Sequence, residues 1–211
     1  MRSWASNAIL GASRRESLIR AALAILVLGA LFVFLPIRRA GHEGGHHGAP
    51  ALDPYEKAGV VELKEGQLAP ALALATLDRG HTALADHRDK LVILNFWATW
   101  CHPCALEMPS LEALWRRYQE RGLVVLAVSV DRGSPRALLD PYVENLKLTF
   151  PILLDPDSRT SEGWRVTALP ATFLVRPGGE VTGMAVGARE WNSDEMRALV
   201  ERLLPGAHAH R

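Results

Sequence analysis

Cys101 and Cys104, with His102 and Pro103 between them, are the only cysteines in a chain of 211 residues. They stand in the stretch WATWCHPCALEMP, residues 97–109. Three chemistries use such a pair. A structural disulfide stabilises by closing a long loop, and two intervening residues remove little unfolded-state entropy. A structural zinc site needs two more soft ligands at matching spacing, but the chain has no second cysteine pair and no spaced histidine pair in its globular part. A redox dithiol needs only the pair itself, set between a buried strand and the N-terminus of a helix. Unpaired backbone N–H groups and the positive end of the helix dipole there stabilise a thiolate. On this reading Cys101, at the helix start, is the exposed attacking thiol, and Cys104, a turn further in, resolves the mixed disulfide. Pro103 suits a first helical turn, where its missing N–H costs nothing. His102 either adds positive charge beside the thiolate or is an exposed turn residue without effect.

The flanking pattern supplies the elements this chemistry needs. Leu91–Phe96 (LVILNF) is a continuous apolar run of strand length, the pattern of a buried central strand. A helix is predicted from about His102 to Glu120, with Leu111, Leu114, Trp115 and Tyr118 forming its apolar face and Gly122 ending it. Leu123–Val130 reads as a second buried strand. Ser134-Pro135 marks a helix start, with the helix running to about Asn145. A short strand in FPILLD and a brief helix over Ser158–Gly163 follow. Ala171–Val175 and Glu180–Val186 flank the turn Pro177-Gly178-Gly179, and a last helix runs from near Asn192-Ser193 to Pro205-Gly206. Upstream, Asp78-Arg79-Gly80 reads as the turn of a hairpin. The order β-α-β-α-β then β-β-α predicts an α/β fold, a central mixed sheet flanked by helices.

The N-terminus has a different character. Residues 21–37 are apolar without interruption, about 25 Å of helix, and Leu18 and Ile19 extend it to a plausible membrane span with Arg20 snorkelling. Arg2, Arg14, Arg15 and Arg20 precede the segment and only Arg38 and Arg39 follow it, which places the N-terminal end in the cytoplasm. A small-x-small cleavage pattern is poor here, because Arg38 stands two residues before Ala40, so the segment reads as an uncleaved signal-anchor. The expected organisation is a short cytoplasmic N-terminus (1–17), a transmembrane helix (18–37), a flexible Gly/His-rich linker (38–59), a globular domain (60–205) and a tail (206–211). His42, His46 and His47 in the linker read as a polar spacer, since no partner ligand of fixed spacing accompanies them. With 24 basic and 23 acidic residues, the chain offers no broad nucleic-acid footprint.

LNFWATWCHPCALEMPSLEAL, followed by GLVVLAVSVD and LPATFLV, resembles the membrane-anchored thioredoxin-like thiol–disulfide oxidoreductases of the TlpA/ResA/CcmG (DsbE) family over about residues 66–204. The resemblance implies a thioredoxin-like fold facing the periplasm or the outer membrane surface, with an insertion matching roughly residues 134–163. It implies Cys101 and Cys104 as nucleophilic and resolving cysteines of a redox-active disulfide, and no cofactor or metal. Leu169-Pro170 matches the dipeptide holding the family's cis-proline, with Trp100, His102, Pro103 and Leu169 beside the substrate groove. The backbone of Leu169 would pair with an extended substrate segment. Glu107, on the same helix face as Cys104, matches an acidic residue that modulates thiol acidity; the alternative is an ordinary surface glutamate. Pro109 matches the proline that kinks this helix. Two positions depart from the pattern. Asn95 stands where thioredoxin has a buried aspartate, which directs attention to Glu107 as the base, and Ala168 replaces a frequent glycine.

The implied activity is reduction of protein disulfides in cytochrome c maturation or respiratory metal-site assembly. The substrates would be apocytochrome c or copper-site assembly proteins, and a membrane electron donor of the DsbD/CcdA type would recharge the dithiol. Two alternatives stand beside it. One is a peroxiredoxin-like peroxidase, although its threonine would lie three residues before the cysteine and Thr99 lies two before Cys101. The other is a copper chaperone, although the related copper proteins space their cysteines by three residues and add a distal histidine.

Overall fold

Strand β4 (Leu91–Trp97) is buried at all seven positions. Such a strand needs neighbours on both edges and cover on both faces. On one edge it pairs parallel with β5 (Leu123–Ser129), which pairs parallel with β6 (Ile152–Leu154). On the other edge it pairs antiparallel with β7 (Ala171–Arg176). β7 continues antiparallel through a hairpin into β8 (Glu180–Val186), and the short β1 (Val61–Glu62) closes that side. The sheet order is β1-β8-β7-β4-β5-β6, the mixed sheet expected from the sequence.

Alternation along β4 divides the interior. Leu91, Ile93 and Trp97 face a core completed by Met108, Leu111 and Leu114 of α2 (His102–Tyr118) and by Met196 and Leu199 of α5 (Asp194–Leu203). Val92, Leu94 and Phe96 face a second core with Leu126, Trp164 and Phe173, where Phe96, Trp164 and Phe173 form a mutually tilted ring cluster with centroids 5.0–6.1 Å apart. Asn95 shares the α2 face, and its neighbour in register on β7 is Thr172. A polar pair is thereby set under the helix that carries the cysteines.

The predicted hairpin is present as β2 (Ala73–Ala75) and β3 (His81–Ala83), a separate two-stranded sheet tied to β6 through Thr76 and Leu153. Helix α2 gives way to a 3-10 turn at Gln119–Arg121, and Gly122, at φ 95°, makes the left-handed exit that ends it. The insertion contributes α3 (Pro135–Leu146), β6 and α4 (Arg159–Gly163). Its joint to α2 is polar: the carboxylate of Glu112 accepts from the Thr149 backbone N–H at 2.8 Å and from the Thr149 hydroxyl at 2.5 Å.

This computed structural model describes residues 19–20, 22–27, 52–63, 66–133 and 135–206. Backbone contacts divide the chain into Met1–Pro50 and Ala51–Arg211. Residues 19–20 and 22–27 are helical, and among the described residues no helix is long and apolar enough to cross a membrane. The rest of the expected anchor, the histidines of the linker, Ser134 and residues 207–211 lie outside the described residues.

The segment expected to be linker, residues 38–59, carries a short helix near its C-terminal end. Inside the segment expected to be linker, α1 (Pro54–Lys57) is capped by the Asp53 carboxylate, which accepts the Tyr55 N–H at 2.8 Å, and Pro54 occupies its first turn. Tyr55 is buried against β8, its hydroxyl hydrogen-bonded to that of Thr182 at 2.5 Å. A Cβ added at Gly183 would sit 2.8 Å from Val60 and 3.1 Å from the Tyr55 ring, so the strand needs glycine there to admit this cover. Four residues are too few to show an apolar period, which is why composition hid the helix. Replacing Tyr55 with Ala is expected to cost about 3 kcal/mol, read as a lower urea midpoint at unchanged slope. An unchanged midpoint would show that α1 is only part of the tether.

Candidate active site

The turn from β4 into α2 is fixed before the cysteines are reached. Thr99 donates its backbone N–H to Asp131 Oδ2 at 3.0 Å and its hydroxyl to Oδ1 at 2.7 Å. Asp131, just past the end of β5, also accepts the Ser129 hydroxyl at 2.8 Å. One buried carboxylate thus pins the C-terminal ends of two neighbouring strands, and the loop between them has little freedom. The Cys101 N–H then donates to the Ala98 carbonyl at 3.1 Å, closing the turn.

Cys101 is the N-cap of α2, and its Sγ accepts the Cys104 backbone N–H at 3.3 Å. The sulfur takes the place that a serine or aspartate oxygen usually fills, so a negative charge on it meets an otherwise orphaned donor and the helix dipole. No acidic residue occupies the first turn to oppose that charge, and Pro103 sits there as expected. The two cysteines form a disulfide, with Cys104 fully buried and Cys101 6% exposed. Trp100, 70% exposed, and the exposed His102 stand on either side of Cys101.

The disulfide opens on a groove of about 660 Å³. Trp100, Cys101, His102 and Pro103 line one wall, and Val166–Leu169 with Ser161 and Glu162 of α4 line the other. The insertion therefore shapes the groove. The Leu169-Pro170 peptide is cis. The Pro170 carbonyl is taken by the Gly187 N–H at 2.8 Å, whereas the Leu169 backbone has no hydrogen-bond partner among the described residues and is open to an added strand.

Glu107 lies one turn beyond Cys104 and is 1% exposed, so the surface alternative does not hold. Its Oε1 accepts from Asn95 Nδ2 at 2.8 Å. Its Oε2 accepts from the indole Nε1 of Trp191 at 2.9 Å and from the Arg189 backbone N–H at 3.1 Å. Burial raises its pKa above the ordinary carboxylate value, and the donors from Trp191, Asn95 and Arg189 pull against that rise without cancelling it. The carboxyl is thereby suited to exchange a proton nearer neutrality than a solvated glutamate.

Of the predicted residues, Trp100, Cys101, His102, Pro103 and Leu169 line one groove, Cys104 and Glu107 are buried on the helix behind Cys101, and Pro170 is buried next to Leu169 and is not part of the lining. Sequence reasoning missed Trp191, Arg189 and Ser110. The Ser110 hydroxyl donates to the Glu107 carbonyl at 2.8 Å and accepts the Trp191 N–H at 3.0 Å, clasping the segment after β8 against α2. Nothing in the spacing of these residues marks them. The only available signal was an isolated tryptophan just before a helix cap.

Residues 66–184, more than half of the chain, match the AhpC/TSA family. Thiol-disulfide oxidoreductase ResA of Geobacillus thermodenitrificans (strain NG80-2) is 36% identical over 140 residues, covering 66% of this chain and 78% of that protein. ResA of Bacillus subtilis (strain 168) is 32% identical over 130 residues, covering 62% and 72%. Among solved structures, the thioredoxin domain of a thiol-disulfide oxidoreductase from Bacteroides vulgatus superposes with a TM-score of 0.57 at 26% identity, covering 66% of this chain and 97% of that one. The fold is thioredoxin-like, and these similarities surround a dithiol built as thiol–disulfide exchange requires. The chain belongs to the AhpC/TSA family and is, within it, a thiol–disulfide oxidoreductase of the ResA type.

Proposed function

We propose that this protein reduces protein disulfides on the outer side of the cytoplasmic membrane, held there by a transmembrane helix over residues 18–37. Its substrates are apocytochrome c or the copper-site proteins of respiratory assembly, and a membrane dithiol donor of the DsbD/CcdA type recharges it. The observation that carries the reading is the asymmetry of the pair: Cys101 caps the helix at an open groove, while Cys104 is sealed behind it next to a buried carboxyl.

Catalysis follows from that asymmetry. In the dithiol form the Cys101 thiolate attacks one sulfur of a substrate disulfide; a Cys101–substrate bond forms and the other substrate sulfur leaves, taking up a proton. Cys104 then passes its proton towards the Glu107 carboxylate and attacks Cys101 Sγ. The mixed disulfide breaks, the second substrate sulfur departs as a thiolate and takes up a proton from solvent, and two electrons have moved from the dithiol to the substrate. Leu169 holds the substrate backbone in register during both attacks.

A peroxidase would use a threonine directed at the attacking cysteine. Here both the hydroxyl and the N–H of Thr99 are committed to Asp131, so disulfide exchange is the better reading.

Cys104→Ser is expected to keep the first attack and accumulate a mixed disulfide with its substrate, visible on non-reducing gels and identifiable by mass spectrometry. Cys101→Ser is expected to lose disulfide reduction altogether, and retained reduction would contradict the assigned roles. Burial of Glu107 also gives stability a pH dependence. Its folded pKa lies above the unfolded value, so the associated stabilisation is full below the ordinary carboxylate pKa and is lost as pH rises through the folded pKa. Urea midpoints of the oxidised protein should therefore fall with rising pH over that window relative to those of Glu107→Gln. Parallel curves would show that Glu107 is not raised.

A further inference from the structure

Glu107 is the end point of a buried polar cluster larger than a single proton acceptor needs. Trp191 is fully buried, and an indole of its size fills the core without any hydrogen bond. Here it comes from the segment between β8 and α5, is clamped by Ser110, and aims Nε1 at Oε2. Asn95 comes from β4 and offers Nδ2 to both Glu107 Oε1 and Thr172 Oγ1, each at 2.8 Å, while its buried Oδ1 has no donor among the described residues. An orphaned buried amide oxygen is costly unless another state of the site uses it.

Protonation of Glu107 would create such a state. When Glu107 carries a proton its hydroxyl must donate, and an amide turned by half a rotation would present Oδ1 to that hydroxyl and to Thr172. We infer that Asn95 and Trp191 are positioning residues that set the proton affinity of Glu107: Trp191 through a fixed N–H that favours the carboxylate, and Asn95 through an amide that can face either protonation state. The inference rests on the reading of Glu107 as the acceptor of the Cys104 proton. It also gives a reason for asparagine at position 95, since an aspartate there would bring a second carboxylate within 2.8 Å and the two would share a proton.

Few other polar groups lie near Glu107 among the described residues. Thr172 of β7 bonds Asn95 rather than the carboxylate, Ser110 on its own helix bonds the Glu107 backbone carbonyl, Cys104 stands three residues earlier on that helix, and from the β8–α5 segment the Arg189 backbone N–H reaches Oε2. The Arg189 guanidinium favours the anion but is held on the carbonyls of Gly59, Gly187 and Ala188. Among the described residues, Trp191 and Asn95 are thus the side chains that hydrogen-bond the carboxylate.

The test is stopped-flow reduction of 5,5′-dithiobis(2-nitrobenzoate) by the reduced full-length protein across pH. Cys101 attack releases one thionitrobenzoate and leaves the other bound to Cys101; closure by Cys104 releases the second in a unimolecular phase. That second phase should rise with pH as Glu107 ionises. Trp191→Phe, which removes one donor to the anion, should move the inflection up by about one pH unit. Asn95→Asp should move it up as well, and Glu107→Gln should abolish it. Adding Trp191→Phe to Glu107→Gln should then change nothing further. Near-UV circular dichroism checks packing, and Asn95→Asp, which keeps the side-chain volume, carries the test if the Phe variant loosens. An inflection unmoved by Trp191→Phe and Asn95→Asp but abolished by Glu107→Gln overturns this inference and leaves the role of Glu107 standing. An inflection that survives Glu107→Gln overturns both.

Discussion

A carboxylate sealed from water must be given donors or a proton, and Glu107 organises the molecule around that requirement. Its donors come from β4 and from the segment after β8, 12 and 82–84 residues away in the chain. Holding them in place requires α2 to lie over the centre of the sheet, β7 to bring Thr172 beside Asn95, and Ser110 to clasp the loop that carries Trp191. The same placement of α2 sets Cys101 at the mouth of the groove and Cys104 behind it. The acid and the dithiol are thus fixed by one packing arrangement, and a change that loosens one disturbs the other.

The second constraint acts at the other end of the site. Asp131 ties the β4–α2 turn to the end of β5, so the N-cap sulfur has a defined position while the groove in front of it stays open. A rigid attacking side with an unpaired edge at Leu169 suits the proposed exchange with an extended chain, in which substrate would bind by backbone and the geometry of attack would come from the protein.

Much of this was legible before any coordinates. The apolar run Leu91–Phe96, the pair Cys101/Cys104 and the helix period behind it each follow from short-range rules, and they located the dithiol at a strand–helix junction. LPATFLV identified the strand beyond Pro170. Other features could not be read in this way. Helix α1 is one turn long and carries no period, so composition does not reveal it inside the expected linker. The burial of Glu107 depends on Trp191 and Arg189, which reach it through tertiary packing that no local spacing encodes. Asn95 stands out in the sequence as a departure, but the role inferred for it depends on the place of its amide between Glu107 and Thr172.

The proton affinity of Glu107 is therefore the quantity on which the account turns. The most direct measurement is a carbon-13 NMR titration of its side-chain carboxyl in the full-length oxidised protein, with the resonance assigned by its loss in Glu107→Gln. A midpoint above the ordinary carboxylate value, with neighbouring carboxylates titrating normally, is the predicted result. A midpoint at or below that value would contradict the account, because Glu107 would then be a permanent anion and a poor acceptor for the Cys104 proton.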